Sequence, residues 1–235
     1  MDEIIKQIHK ELKKNIDIAY KQTESRLFKE GRNCYGVRTG IVRGIGKKFL
    51  KQLKNKSKND IFALCEELLS SGLHEPRTIA FQWANQLRGE FSLEEFSIFE
   101  LWLEKYVHDW SGCDDLCCGA LGELIVQYPL LIQKITQWTT SANKWLRRAA
   151  AVSLIPSVRK RNCLKEIFLV ADKLLLDKED LVQKGYGWML KEASTQWPRE
   201  VFRYTMLQKG IMSRTALRYA IEKMPLMWRK KVMES

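Results

Sequence analysis

Apolar residues along this chain recur at intervals of three and four: Ile4, Ile5, Ile8 and Leu12 in one stretch, Ile41, Ile45, Phe49 and Leu53 in another. That period predicts amphipathic helices, and no segment alternates apolar and polar positions in the manner of a strand. Glycine and proline punctuate the pattern at Gly31, Gly72, Glu75-Pro76, Gly89, Tyr128-Pro129, Trp197-Pro198 and Gly210, where helices are expected to stop or start. The expectation is an all-α chain of about twelve to fourteen helices.

A weak internal repeat orders these helices. Aligning Arg77 (in EPRTIAFQWA), Gly112 (in WSGCDDLCCGALG), Arg147 (in WLRRAAAVSLI), Gln183 (in LVQKGYGWML) and Arg214 (in MSRTALRYAI) gives steps of 35, 35, 36 and 31 residues, and a step of 35 back from Arg77 reaches Val42. Such a period is the signature of stacked helical repeats, in which no unit buries its own apolar face and neighbours complete the core. The chain therefore reads as one domain over 1–235, an α-solenoid of about six HEAT-like two-helix repeats over 41–224. Additional helices over 1–40 precede the repeats, and a basic tail over 225–235 follows them.

The same register places the basic residues. Arg43, Lys47, Lys51 and Lys54 fall at spacings of four, four and three, on the side of their helix away from Ile45, Phe49 and Leu53. Lys144 with Arg148, Lys184 with Trp188 and Lys191, and Arg214 with Arg218 repeat the arrangement. If these helices stand side by side, they make a concave basic groove with indoles among the cations. For Lys56, Lys58 and Arg229-Lys230-Lys231 a solvated face is the simpler reading.

Forty Lys and Arg against 28 Asp and Glu give a net charge of +12, which points to an acidic polymer as partner, because clustered cations displace condensed counterions from nucleic acid. A membrane surface is also anionic, and charge alone does not separate the two. No apolar run approaches the roughly 20 residues that span a bilayer, and MDEIIKQIHKELKK reads as a charged amphipathic helix rather than a signal peptide. A cytoplasmic, nucleoid-associated monomer is expected. Cys34, Cys65, Cys113, Cys117, Cys118 and Cys163 are not spaced as a disulfide framework, and His108 with Cys113, Cys117 and Cys118 does not complete a familiar zinc spacing. Reduced thiols, no metal and no cofactor are expected. Three histidines and the lack of a Gly-x-Ser-x-Gly or phosphate-cradling loop give little support to triad or nucleotide hydrolysis.

Trp110, Asp114 and Trp188 carry the most specific chemistry. Indole faces attract a flat cationic ring, and a carboxylate beside them would stabilise a sugar cation left when a charged base departs. A structural reading stands beside this one: eight tryptophans in 235 residues supply core aromatics, and Asp114 could be a first-turn acid answering a helix dipole.

The blocks YGVRTGIVRGIGKKF, HDWSGCDDLCCGALGELIVQYP, NKWLRRAAAVSLI and LVQKGYGWMLKEA resemble, in order and spacing, those of the DNA alkylation repair family of HEAT-like-repeat DNA glycosylases. The resemblance runs from about Tyr35 to Trp197 and rests on Trp-x-x-x-Asp, Trp-Leu-x-Arg-Ala-Ala and Gly-Trp-x-Leu-[Lys/Arg]-Glu. It implies an α-solenoid that cups double-stranded DNA and excises N3- or N7-alkylated purines. By motif match, Trp110 and Trp188 would lie against the lesion nucleotide, Asp114 would stabilise the sugar cation and position water, and Arg148 would hold the backbone. The basic set that would bind DNA with it is Arg43, Lys47, Lys51, Lys144, Lys184, Lys191, Arg214 and Arg218.

The chain departs from the family pattern at several positions. Gly40 stands where the family often has proline, Asp109 where it has an aromatic, and Asp180-Leu181 where it has an aromatic pair. The N-terminal DNA-facing tyrosine falls nearest Leu27, with Tyr20 and Phe28 as substitutes. Acids at Asp109 and Asp180 are expected to repel DNA locally. Two alternatives to the glycosylase stay open: a non-catalytic paralogue that binds damaged, bent or branched DNA, and a protein-binding helical-repeat scaffold.

Overall fold

The repeat register reappears as helix starts. The computed structural model describes residues 1–28 and 31–234, and among these it has sixteen α-helices and no strand. Val42, Arg77, Gly112, Arg147, Gln183 and Arg214 lie within the first four residues of α3 (Thr39–Leu50), α5 (His74–Gln86), α7 (Trp110–Cys118), α10 (Lys144–Val152), α13 (Asp180–Gln196) and α15 (Arg214–Ala220). These six helices begin 34 to 36 residues apart. The remaining helices are α1 (Glu3–Lys14), α2 (Ile18–Leu27), α4 (Lys58–Ser70), α6 (Glu95–Tyr106), α8 (Ala120–Gln127), α9 (Leu131–Gln137), α11 (Ile155–Arg159), α12 (Leu164–Leu174), α14 (Pro198–Gln208) and α16 (Leu226–Met233).

Local chemistry sets several of the starts. Asp2, Asn143 and Ser213 cap α1, α10 and α15 by accepting backbone N–H groups, and Ser57 with Asp60 forms a capping box on α4. Pro76 is not a helix break. It sits in the first turn of α5, where a missing N–H has no intrahelical partner to lose. Lys51 lies beyond the end of α3, in a short 3-10 turn at Lys51–Leu53, and is exposed.

The helices gather into two compact units, Met1–Ala120 and Leu121–Ser235. In the first, α3 packs on α5 and α5 on α7, while α4 covers α5 and α1 lies against α3 and α4. Trp83 on α5 is fully buried and donates its Nε1–H to the Gly46 carbonyl of α3 at 2.8 Å. Phe62, Phe81, Phe99 and Trp102 form the aromatic centre, with ring centroids 5.5 to 6.1 Å apart in contacting pairs. Glu75, only 1% exposed, accepts the N–H groups of Tyr35, Gly36 and Val37 at 2.7 to 3.0 Å and ties the segment before α3 onto α5.

In the second unit α10 packs on α13 and α13 on α15, with α11, α12 and α14 also against α13. Gly187 lets α13 and α15 approach closely: a Cβ there would lie 2.9 Å from the Ala216 carbonyl oxygen and 2.8 Å from Tyr219 Cβ. Gly187→Ala should therefore push α15 off α13. Urea unfolding of the full chain is expected to show a loss of about 1–3 kcal/mol, the usual cost of overpacking; a loss within about 0.5 kcal/mol would mean that the α13–α15 spacing yields freely.

Candidate nucleic-acid interface

Helix α7 starts where it does because of Asp109. This residue precedes Trp110 in extended conformation and accepts the Gly112 N–H at 2.8 Å, capping the helix. Its other oxygen receives Arg77 Nη2 from the first turn of α5 at 2.7 Å, and Arg32 Nη2 lies 3.4 Å from the first. Both arginine side chains are at least nine-tenths buried. Gly112 leaves room for this pair, since a Cβ there would stand 2.6 Å from Arg77 Cζ. Burial pushes the Asp109 carboxyl up, but the Arg77 and Arg32 charges and the bonds from Arg77 and Gly112 outweigh it and hold it at about 2. Beside it, His74 is driven down to about 3, first by burial and then by the same arginines, and its Nδ1 faces Arg77 Nη2 at 3.3 Å.

With the start of α7 fixed, Trp110 and Asp114 stand one helical turn apart, and Asp114 is mid-helix rather than in the first turn. The reading of Asp114 as an acid answering the helix dipole is thereby corrected; Asp109 has that place. Asp114 is half-buried and lines a cleft of ≈ 280 Å³ with Asp115, Arg43 from α3 and Thr78, Gln82 and Asn85 from α5. Arg43 Nη2 reaches Asp115 Oδ1 at 2.9 Å, across 72 residues of sequence. Burial raises the Asp115 carboxyl above its ordinary value against the pull of Arg43 and Arg77. Lys47 and Lys51 are exposed on the same element as Arg43 and its continuation.

Trp110 is 38% exposed, and Phe28 stacks on it with centroids 4.9 Å apart and planes 13° from parallel. The Arg32 guanidinium lies 3.2 Å from the Phe28 centroid and pairs with Glu24 at 2.5 Å. The stack was not read from the sequence.

In the second unit the motif residues divide between packing and surface. Trp188 is half-buried on α13, its Nε1–H directed to Glu192 Oε1 at 3.3 Å. Glu192 also receives Lys223 at 2.9 Å and Arg159 at 3.3 Å; these cations pull its carboxyl down although burial pushes it up. Arg147 pairs with Asp177 at 2.6 Å, repeating the Arg77–Asp109 relation between consecutive register helices. Lys144, Lys184 and Lys191 are half-buried, Lys184 against Asp180 at 2.6 Å and Lys191 against Glu222 at 3.2 Å. Arg214 and Arg218 are exposed.

A family model described as DNA alkylation repair enzyme matches residues 8–224. The chain belongs to the DNA alkylation repair enzyme family. Among solved structures it is similar to a predicted DNA alkylation repair enzyme from Enterococcus faecalis, at 20% identity and a TM-score of 0.77, covering 87% of this chain and 94% of that one. It is also similar to smu.31 from Streptococcus mutans UA159, at 19% identity and a TM-score of 0.59, covering 79% of this chain and 98% of that one. No curated protein matches it. No helix among the described residues is long and apolar enough to cross a membrane.

Four positions stand differently from what the sequence suggests. Asp109 is not a surface acid that repels DNA, because two buried arginines neutralise it; Asp180 is exposed but paired with Lys184. Arg148 is 5% exposed, and its guanidinium donates to the Leu181 carbonyl of α13, so in this packing it joins α10 to α13 instead of presenting its charge to a DNA backbone. Leu27 is 61% exposed and Phe28, the next residue, is the one that meets Trp110.

The Asp109 cluster makes stability acid-sensitive in two stages. His74 is depressed from 6.5 to about 3, so the unfolded chain takes up a proton below pH 6.5 that the folded chain refuses, and stability falls as pH drops from there toward 3. Asp109 is depressed from 3.8 to about 2, so its contribution is present above pH 4 and lost as pH falls toward 2. Urea midpoints measured against pH should decline from pH 6.5 in the wild type, and His74→Gln should flatten the decline above pH 4. An identical slope in His74→Gln would assign it to other groups.

Proposed function

We propose that this DNA repair protein is a glycosylase that releases N3- or N7-alkylated purines from double-stranded DNA, with Asp114 as the catalytic carboxylate. The observation that carries the reading is the placement of Asp114 one turn beyond a half-exposed indole on a helix whose start is locked by a buried ion-paired cap. An alkylated purine already carries positive charge, so its C1′–N bond breaks with the electron pair leaving on the base, which departs neutral. The sugar is left as an oxocarbenium-like cation. Asp114 stabilises that cation electrostatically and takes the proton of the water that attacks C1′; no strong general acid is required. Trp110 offers its uncovered surface to the cationic ring, while Phe28 occupies the other side. On the same reading, Trp188 and the exposed cations of the second unit contact nucleic acid.

Asp114→Asn removes an interaction made chiefly in the transition state. Single-turnover release of N3-methyladenine or N7-methylguanine should fall by about 10²-fold or more while affinity for the duplex stays nearly unchanged. Trp110→Ala should hurt cationic lesions more than neutral ones. The burial of Arg148 favours a second reading, a DNA-binding member without excision, because the expected backbone clamp is occupied within the protein. Wild type that binds duplex tightly and releases no alkylated base would establish that reading in place of the first.

A further inference from the structure

Helix α1 carries a second basic surface that lies outside the repeat register. Ile5, Ile8 and Leu12 are completely buried on one side of this helix, while Lys6, Lys10, Lys13 and Lys14 are exposed on the other. These lysines, with His9, Tyr35 and Ser71, line a cavity of ≈ 700 Å³ where α1, the end of α4 and the segment before α3 meet. No carboxylate lines it. Glu3 and Glu11 engage Lys6 and Lys14, each at 3.5 Å, whereas Lys10 and Lys13 carry no ion pair among the described residues. At the side of the cavity nearest the core, His9 Nδ1 and the Tyr35 hydroxyl are 2.9 Å apart.

Lys10 and Lys13, neither of them ion-paired among the described residues, repel each other, and like charges three and four residues apart weaken a helix. A concave surface that gathers such groups and adds hydrogen-bonding side chains suits an anion with several oxygens. The lysines extend from Lys6 to Lys14, roughly 12 Å along the helix axis, which matches a tract of successive charges better than a single small ion. A bilayer surface fits less well, because the apolar side of α1 is used up in the core and has nothing left to insert.

We infer that this cavity binds the phosphates of a nucleic-acid backbone, at a site separate from Asp114 and from the register helices. The inference rests on the reading of the chain as a DNA binder and not on base excision. A polynucleotide held there would be gripped by the helices that precede the repeats as well as by the repeats themselves.

The test is the salt dependence of binding to an unmodified duplex, followed by fluorescence anisotropy for wild type and for Lys10→Gln/Lys13→Gln. Loss of two phosphate contacts should reduce the log–log slope by about 1.8, twice the value for one neutralised phosphate. Single-turnover release of alkylated base at saturating protein should be the same in both. A slope equal to that of wild type overturns the α1 site and leaves a solvated charged face. Wild type that binds no duplex overturns the inference together with the DNA-binding reading. Inorganic pyrophosphate gives an independent measurement through the His9 ring resonances: a saturable shift in wild type that disappears in the double variant is expected, and one that persists in the double variant contradicts the site.

Discussion

The Arg77–Asp109 pair is the constraint on which the first unit depends. A carboxylate that caps α7 also receives the first-turn arginine of the preceding register helix, so one buried group fixes both where α7 begins and how α7 lies on α5. Breaking such a pair by removing one partner typically costs about 3–5 kcal/mol, because the survivor is left charged in a dry setting. Arg147 and Asp177 repeat the ion pair, without the cap, between α10 and α13. In both units a residue aligned by the repeat thus binds an acid just ahead of the next register helix. The start of α7 determines the turn on which Trp110 and Asp114 appear, and the proposed chemistry follows from that local placement.

The basic residues do not all stand ready for phosphate. Arg43, Lys184 and Lys191 already hold Asp115, Asp180 and Glu222, so a phosphate must replace a carboxylate at each and gains less than at an unpaired cation. Lys47, Lys51 and Arg218 are exposed and carry no ion pair among the described residues, which makes them the first cations available on the register helices and their continuations. On the proposed reading, the exchange of internal acids for phosphates moderates the salt dependence below what a count of lysines and arginines implies.

Much of the fold was legible because it repeats a packing requirement. Helical periodicity and the register of about 35 residues led to the starts of six helices, and the motifs that carry the family resemblance are largely packing motifs. Gly187 in Gly-Trp-x-Leu-Lys-Glu admits α15, Glu192 gathers Arg159 and Lys223, and Trp145, Leu146, Ala149 and Ala150 are buried in α10. The site was less legible, since its arrangement depends on partners far apart in sequence. Arg43 meets Asp115 and Phe28 meets Trp110 only after α3, α5 and α7 have packed. Arg148 looked like a surface cation by spacing. Gly185 on α13, where a Cβ would stand 3.1 Å from Arg148 Cγ, supplies the room that lets it turn inward, and no short-range pattern announces that.

A double-mutant cycle on Arg77→Met and Asp109→Asn tests the central constraint most directly, because asparagine keeps the helix cap while removing the charge. The unfolding free energies of wild type, both single variants and the double variant should give a coupling of about 2 kcal/mol or more, with the double variant no less stable than the worse single one. Additive losses, with a coupling within about 0.5 kcal/mol, would contradict the account by showing that the cap holds α7 without the arginine.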